Sequence, residues 1–277
     1  MRLRREAFRK VANQSLSGRR GRAYQNLQTT KRGLVMKILI TNDDGIASEA
    51  LKPLAEWAKT LGEVTVVAPK HQQSGKSHAI NLHDPIEASK IDFLDGVEAF
   101  YVDSTPADCV RFALLSLGKD FDLVISGINK GYNMGEDILY SGTDGAAFEA
   151  ALRGVKAVAL STGIETFRYA FENLDAVKEY FSKHNLLAYS DLFNVNFPEM
   201  PPKGIRITKQ GGTYYSDEFV IVEDGKYIQK GYNAHVSKGD LTVDTDALTE
   251  GYVTVSPLTV DRTDKDAFTR LLSLCGE

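Results

Sequence analysis

The 277-residue chain is poor in cysteine, with only Cys109 and Cys275, far apart. Two thiols so separated form neither a disulfide framework nor a zinc knuckle. They read as buried or inert thiols and suit a reducing, intracellular setting. Long apolar runs are missing as well. No uncharged stretch approaches the roughly 18 residues a membrane span needs, and the N-terminal segment lacks the apolar core of a secretory signal. There is no GxxxxGK[ST] loop and no GxGxxG after the first strand pattern, which disfavours a nucleotide-triphosphate motor and a dinucleotide dehydrogenase. No internal repeat or low-complexity segment occurs after position 35.

Acid is scarce at one end only. Residues 1–35 hold eight Arg and two Lys against a single acid, Glu6. The remaining chain carries 23 basic and 36 acidic side chains, so the overall −4 hides a basic head on a body of −13. Three readings fit the head: an organelle transit peptide, a basic arm for nucleic acid or polyphosphate, or a disordered extension or upstream translation start with Met36 as the working initiator. The third is favoured because organised patterning begins at Met36. The acidic body argues against a nucleic-acid-binding surface. With 43% apolar and 25% charged residues, the body has the balance of an ordinary globular protein.

From Met36 the pattern alternates strand and helix. Lys37–Thr41 is a short apolar run of the kind buried on both faces. Turn formers Asn42-Asp43-Asp44-Gly45 stop it. Leu51, Leu54, Ala55, Ala58 and Leu61 follow at helical spacing, with Ser48 as the expected N-cap and Gly62 as the stop. Val64–Ala68 reads as the next strand, then a polar stretch runs from Lys70 to about Asp95. Phe100–Val102 is a strand, and Thr105-Pro106-Ala107-Asp108 opens a helix to Gly118, with Thr as cap and Pro at the first position. Asp122–Ser126 is a third buried strand, followed by an expected loop from Gly127 to Gly142, a helix to about Gly154 and a strand over Ala157–Ser161. A helix over about 169–184 and a strand over Phe193–Phe197 follow. A hairpin turns at Glu223-Asp224-Gly225, and a strand near Val253 and a helix from Asp264 close the chain. This rhythm predicts an α/β fold: a Rossmann-like three-layer sandwich with a mostly parallel sheet, plus a C-terminal β-hairpin arm and terminal helix.

In such sheets ligands bind outside the carboxyl ends of the strands. There the chain places Asp43 and Asp44, then Ser74, then Asn129. Adjacent carboxylates repel unless a cation lies beside them. An all-oxygen set suits Mg²⁺, Mn²⁺ or Ca²⁺ rather than structural zinc. The alternative is that Asp43-Asp44-Gly45 is only a turn. Tyr140–Ala147 runs into a helix whose first N–H groups and hydroxyls suit an oxyanion, or are simply capped by Ser141 or Thr143. His78, in the polar loop after Ser74, is either a proton donor to a leaving group or an ordinary loop residue. Tyr214, Tyr215, Tyr227 and Tyr232 cluster at the hairpin and read as packing residues, with base stacking as the alternative.

Several motifs then occur in order: Thr41–Ile46, Val67-Ala68-Pro69 with Gln73-Ser74-Gly75, Thr105–Val110, Ser126–Asn129, Asn133-Met134-Gly135 and Tyr140–Thr143. Together they resemble the SurE family of metal-dependent nucleotidases, over about positions 36–277. The resemblance implies hydrolysis of nucleoside 5′- and 3′-monophosphates, and possible trimming of short polyphosphate. It implies one divalent ion per subunit, Mg²⁺ or Mn²⁺, on Asp43, Asp44, Ser74 and Asn129. Gly45, Asn133, Ser141, Gly142 and Thr143 would bind phosphate and substrate, and Asp43, Asp44 and His78 are the catalytic candidates. It further implies a cytoplasmic homodimer or homotetramer, with no membrane or nucleic-acid partner. An α/β core over 36–200 would be followed by a hairpin arm and helix over 201–277 used in assembly. The chain departs from the family pattern at Asp144, at Ser104 and in the basic head. Beside a phosphate Asp144 would be unfavourable, so its side chain should point away. The rival activities are a broad acid phosphatase or exopolyphosphatase, and a non-catalytic metal or nucleotide sensor. Deleting residues 1–35 should leave turnover within about twofold of the full chain; a folded but inactive truncation would overturn the peripheral reading of the head.

Overall fold

The computed structural model describes residues 35–275, so the expectations for the basic head fall outside the described residues. The first half of the body runs β1 (Met36–Thr41), α1 (Leu51–Lys59), β2 (Gly62–Pro69), β3 (Ala88–Leu94), β4 (Val97–Val102), α2 (Pro106–Ser116) and β5 (Leu123–Lys130). After a 3₁₀ turn at Gly135–Leu139 come α3 (Gly142–Leu152), β6 (Lys156–Thr162), α4 (Arg168–His184), β7 (Leu192–Phe197) and β8 (Ile205–Ile207). The chain then forms β9 (Tyr215–Glu223), β10 (Lys226–Asn233), α5 (Asp244–Thr249), β11 (Val253–Pro257) and α6 (Lys265–Cys275).

Nine strands form one sheet in the order β3-β4-β2-β1-β5-β6-β7-β11-β8. The five central pairings, from β4 through β7, are parallel, while β3 and β11 run antiparallel to β4 and β7. Strand alternation divides the apolar residues between two cores. Ile38 and Ile40 of β1 pack with Leu51, Leu54 and Ala58 of α1 and Leu174 and Val177 of α4. Leu39 faces the opposite way, onto Val110 and Ala113 of α2 and Ala146, Ala147 and Ala150 of α3. This is the three-layer α/β architecture the pattern predicts. Leu51 and Leu54 are fully buried, a contribution of about 1.5–3 kcal/mol each. In α3, residues Gly142–Ala150 are all buried, and their small side chains let the helix lie close on the sheet.

The sheet turns β1 and β5 side by side, with Thr41 opposite Ser126, so their C-terminal loops emerge at the same edge. Several expected boundaries move. The N-cap of α1 is Ala50 and not Ser48; the Ser48 carbonyl accepts from Leu51 N–H in a preceding turn. Gly62 opens β2 instead of ending the helix, because a side chain there would strike the Met36 carbonyl of β1. The expected loop after Ser126 begins later, since β5 continues to Lys130 through a register shift between Ser126 and Asn129. The polar stretch after Lys70 contains β3, an edge strand. The division expected at position 200 cuts the sheet: β8 and β11 belong to it, and only the β9–β10 hairpin forms a separate two-stranded sheet. Thr105 caps α2 as expected, accepting from Asp108 N–H at 3.1 Å.

Candidate active site

Asn42 shapes the turn after β1. Its side chain donates to Gly45 O at 3.0 Å and accepts from Gly45 N–H at 3.1 Å, closing the loop on itself. Gly45 has φ +94°, a left-handed conformation that glycine adopts without penalty. Two neighbouring backbone bonds dock the next loop on this one: Gln73 N–H donates to Asp43 O at 2.7 Å, and Ile46 N–H to Pro69 O at 2.8 Å. Ser74 therefore arrives beside the two aspartates, as the rim reasoning expects.

Asp43 is buried and meets the N-terminus of α3. Thr143 Oγ1 donates to Asp43 Oδ1 at 2.5 Å. The approach leaves no room at Gly142, where a Cβ would lie 2.9 Å from Asp43 Cβ and 3.2 Å from Pro106 Cγ. Burial lifts the Asp43 carboxyl to about 6; the Thr143 hydrogen bond opposes that shift and the Asp44 charge adds to it. Asp44 is also raised by burial, against the Lys130 N–H bond, which reaches its Oδ2 at 3.3 Å.

Gln72 has its amide nitrogen 3.0 Å from Ser74 Oγ and 3.5 Å from Asp44 Oδ1. An N–H₂ donor thus sits between two oxygens of the expected metal set. Asn129 commits its Nδ2 to Gly131 O at 2.8 Å, so its amide oxygen is the atom that could take a cation. Among the described residues no group of three or more His, Cys, Asp and Glu gathers as a metal site. That agrees with a donor set of two carboxylates, one hydroxyl and one amide oxygen. This set fits a hard divalent ion by chemistry.

Ser141 caps α3, accepting from Asp144 N–H at 3.0 Å. Asn133 is placed differently from expectation: it is 7% exposed and held in a buried network. Its N–H donates to Asn196 Oδ1, its Nδ2 to Ser161 Oγ at 2.8 Å, and its carbonyl accepts from Asn194 and Asn196. Asn194 and Asn196 were not singled out as site residues. The available signal was their alternation in a fully buried strand, which puts both amides on one face.

His78 does not join the Asp43–Thr143 contact. Its Nε2 lies 2.9 Å from Glu149 Oε2, on α3. Six residues of helix separate Glu149 from Thr143, about 9 Å along the axis. Tyr214 is buried and packs edge-to-face on Tyr132 and Tyr215, whereas Tyr227 and Tyr232 are exposed. Ser104 has a local task, donating to Asp108 Oδ2 at 2.6 Å.

The model of the family described as Survival protein SurE matches residues 38–217. The chain belongs to the SurE family. A curated 5′-nucleotidase SurE of Clostridium beijerinckii is 38% identical over 245 residues, covering 83% of this chain and 95% of that protein. The 5′-nucleotidase SurE of Geotalea daltonii is 41% identical over 243 residues, with 83% and 95% covered. Among solved structures, the SurE protein from Aquifex aeolicus superposes with a TM-score of 0.72 at 33% identity, over 86% of this chain and 99% of that one.

Asp144 is fully buried, and among the described residues neither carboxylate oxygen has a well-formed hydrogen bond, the Ser141 side chain offering only a weak opposing contact. Burial pushes its carboxyl well above the ordinary range, and Asp43 and Asp244 add to the rise. A carboxyl raised in the folded state binds its proton there more tightly than in the unfolded chain. Its cost to stability is absent at low pH and grows as pH climbs above the unfolded value. Asp144→Val should therefore raise the melting temperature in chelator at pH 8, by several degrees for about 1–3 kcal/mol, and by clearly less at pH 5. Equal shifts at both pH values, or a destabilised variant, would refute the neutral buried acid.

Proposed function

We propose that the chain is a cytoplasmic, divalent-metal-dependent phosphomonoesterase. It hydrolyses nucleoside 5′-monophosphates, the activity in its relatives' names, and accepts 3′-monophosphates and short polyphosphate. One observation carries this reading: a buried carboxylate, Asp43, lies against the N-terminus of α3, with Asp44 beside it and the loops bearing Ser74 and Asn129 tied to the pair. Asp43, Asp44, Ser74 Oγ and Asn129 Oδ1 would hold one Mg²⁺ or Mn²⁺. When bound, such an ion supplies positive charge for a phosphoryl oxygen and makes water a stronger acid.

The chain's own groups do the rest. The first N–H groups of α3, around Gly142 and Thr143, present partial positive charge to the remaining phosphate oxygens. Ser141, which caps that helix, stands beside them. Thr143 holds Asp43 in one rotamer, so a carboxylate oxygen is fixed for orienting the attacking water and taking its proton. Gly45 keeps the aspartate loop tight enough to leave room for substrate. Asn133 acts as a positioning residue, fixing the loop after Asn129 through Asn194 and Asn196.

A panel of nucleoside 5′- and 3′-monophosphates, p-nitrophenyl phosphate and short polyphosphate tests the reading. Nucleotides should be hydrolysed fastest, chelator should stop turnover, and Mg²⁺ or Mn²⁺ should restore it. Asp43→Asn should lower kcat by about 10²–10⁴-fold with the fold kept. Turnover near that of the unaltered protein in Asp43→Asn would sink the assignment. Binding without turnover would favour the sensor.

Assembly as a homodimer or homotetramer through the hairpin and α6 belongs to the same proposal. β9 and β10 pair only with each other among the described residues and expose Phe219, Ile221, Val222 and Tyr227. α6 exposes Phe268, Leu271 and Leu274, three residues apart, a one-sided apolar stripe. Apolar surface of this extent marks an interface. Phe219→Asp with Ile221→Asp should convert the oligomer to monomer in light scattering; an unchanged mass would overturn the arm assignment.

A further inference from the structure

A second cavity, of about 480 Å³, has none of the four expected metal ligands in its lining. Lys76 and Arg262 bring its charge, His78 an imidazole, Thr259 a hydroxyl, and Phe148 and Leu152 an apolar wall. Its volume is that of a small-molecule site. Behind it Glu149 is 4% exposed and saturated with cations. His78 Nε2 reaches one carboxylate oxygen, and Arg111 at 3.1 Å and Arg153 reach the other. Burial pushes Glu149 up, but the His78 and Arg153 hydrogen bonds and the charges of both arginines carry it below the ordinary glutamate value.

The charge of Glu149 is thus consumed inside the wall and does not neutralise Lys76 or Arg262. Asp108 lies 3.7 Å from Arg111 and takes hydrogen bonds from Ser104 and Asn81 N–H. Asp261 is paired with Lys265 at 3.2 Å. Among the described residues Lys76 and Arg262 form no ion pair, in a body whose net charge is strongly negative, so the positive field is local. An imidazole and a phenyl ring stand beside them, with His78 and Phe148 centroids 6.2 Å apart.

We propose that this cavity is a second, non-catalytic anion site for a small phosphate-bearing molecule with an apolar or aromatic body. The phosphate lies between Lys76 and Arg262, and the body lies on Phe148 and Leu152. The site borders the loop that carries Ser74. Ser77, in its floor, donates its N–H to Tyr140 O at 3.0 Å and its hydroxyl to Leu139 O at 2.6 Å. An occupant therefore bears on both the Ser74 loop and the segment that leads into α3.

The test is calorimetric titration of AMP, and separately of inorganic phosphate, into the full chain in chelator at physiological chloride. A binding event that survives the chelator is expected for AMP, with phosphate competing for it. Lys76→Glu with Arg262→Glu should weaken it by at least about tenfold, the loss expected when charge-assisted contacts are reversed. Should the double variant fail to fold, Arg262→Gln alone should still weaken it several-fold. Absence of any chelator-resistant binding overturns the proposal, as does an event indifferent to these substitutions. The readout is binding without turnover, so it stands or falls separately from the hydrolytic reading.

Discussion

The contact between the Asp43 carboxylate and the first turn of α3 is the constraint on which the rest of the site depends. It joins the end of β1 to a helix one hundred positions later. A carboxylate this deeply buried needs compensation, and the Thr143 hydroxyl with the helix end supplies it. The same contact forbids a side chain at Gly142. The proposed phosphate-binding and cation-binding groups are therefore brought together by one close approach. Displacing α3 by the width of a methyl group would separate them.

α3 must consequently be held to the sheet with little slack. Its small, buried residues permit the close approach, and the strands beneath it present polar as well as apolar side chains. Ser161, Asn194 and Asn196 face the same layer as Leu39 and Leu192, and they grip Asn133 from below. Buried amides cost free energy unless paired, and paired amides specify one geometry where Leu or Val would tolerate several. This polar layer fixes the loop between Asn129 and the 3₁₀ turn. Thr41 and Ser126, whose hydroxyls have no protein partner, lie at the same level on β1 and β5. Internal water suits them, since buried hydroxyls seek a partner.

Much of this could be seen in the sequence, for reasons that also explain the misses. Strands buried on both faces announce themselves as short apolar runs, so β1, β2, β5, β6 and β7 were legible. β3 was not, because an edge strand with Lys90 and Asp92 carries the alternation of a loop. β8 has only three residues, and its pairing with β11 is a tertiary fact. Continuation of β5 through Gly127 defies glycine's usual meaning as a break, since neighbouring strands override local preference. The loops bearing Asp43, Asp44, Ser74 and Asn129 meet at one edge, because strand ends in a parallel sheet converge by topology alone. Proximity along the chain misled for His78. Four residues from Ser74, it turns to Glu149 and leaves the aspartates.

Asp144 and His78 show how this chain distributes charge around a shared helix. On the first turn of α3, Thr143 faces Asp43 while Asp144 is driven inward, where burial favours its neutral form. Its carboxyl is pushed well above the ordinary range by that burial, with Asp43 and Asp244 adding to the rise. Further along the same helix, Glu149 keeps its charge but surrounds it with His78, Arg111 and Arg153. In the acidic body the two proposed anion sites would act through local means: a helix end with hydroxyls at one, and Lys76 and Arg262 at the other. Net charge says little about where an anion binds. The disposition of two carboxylates on one helix says a great deal, since one is silenced by burial and the other by its partners.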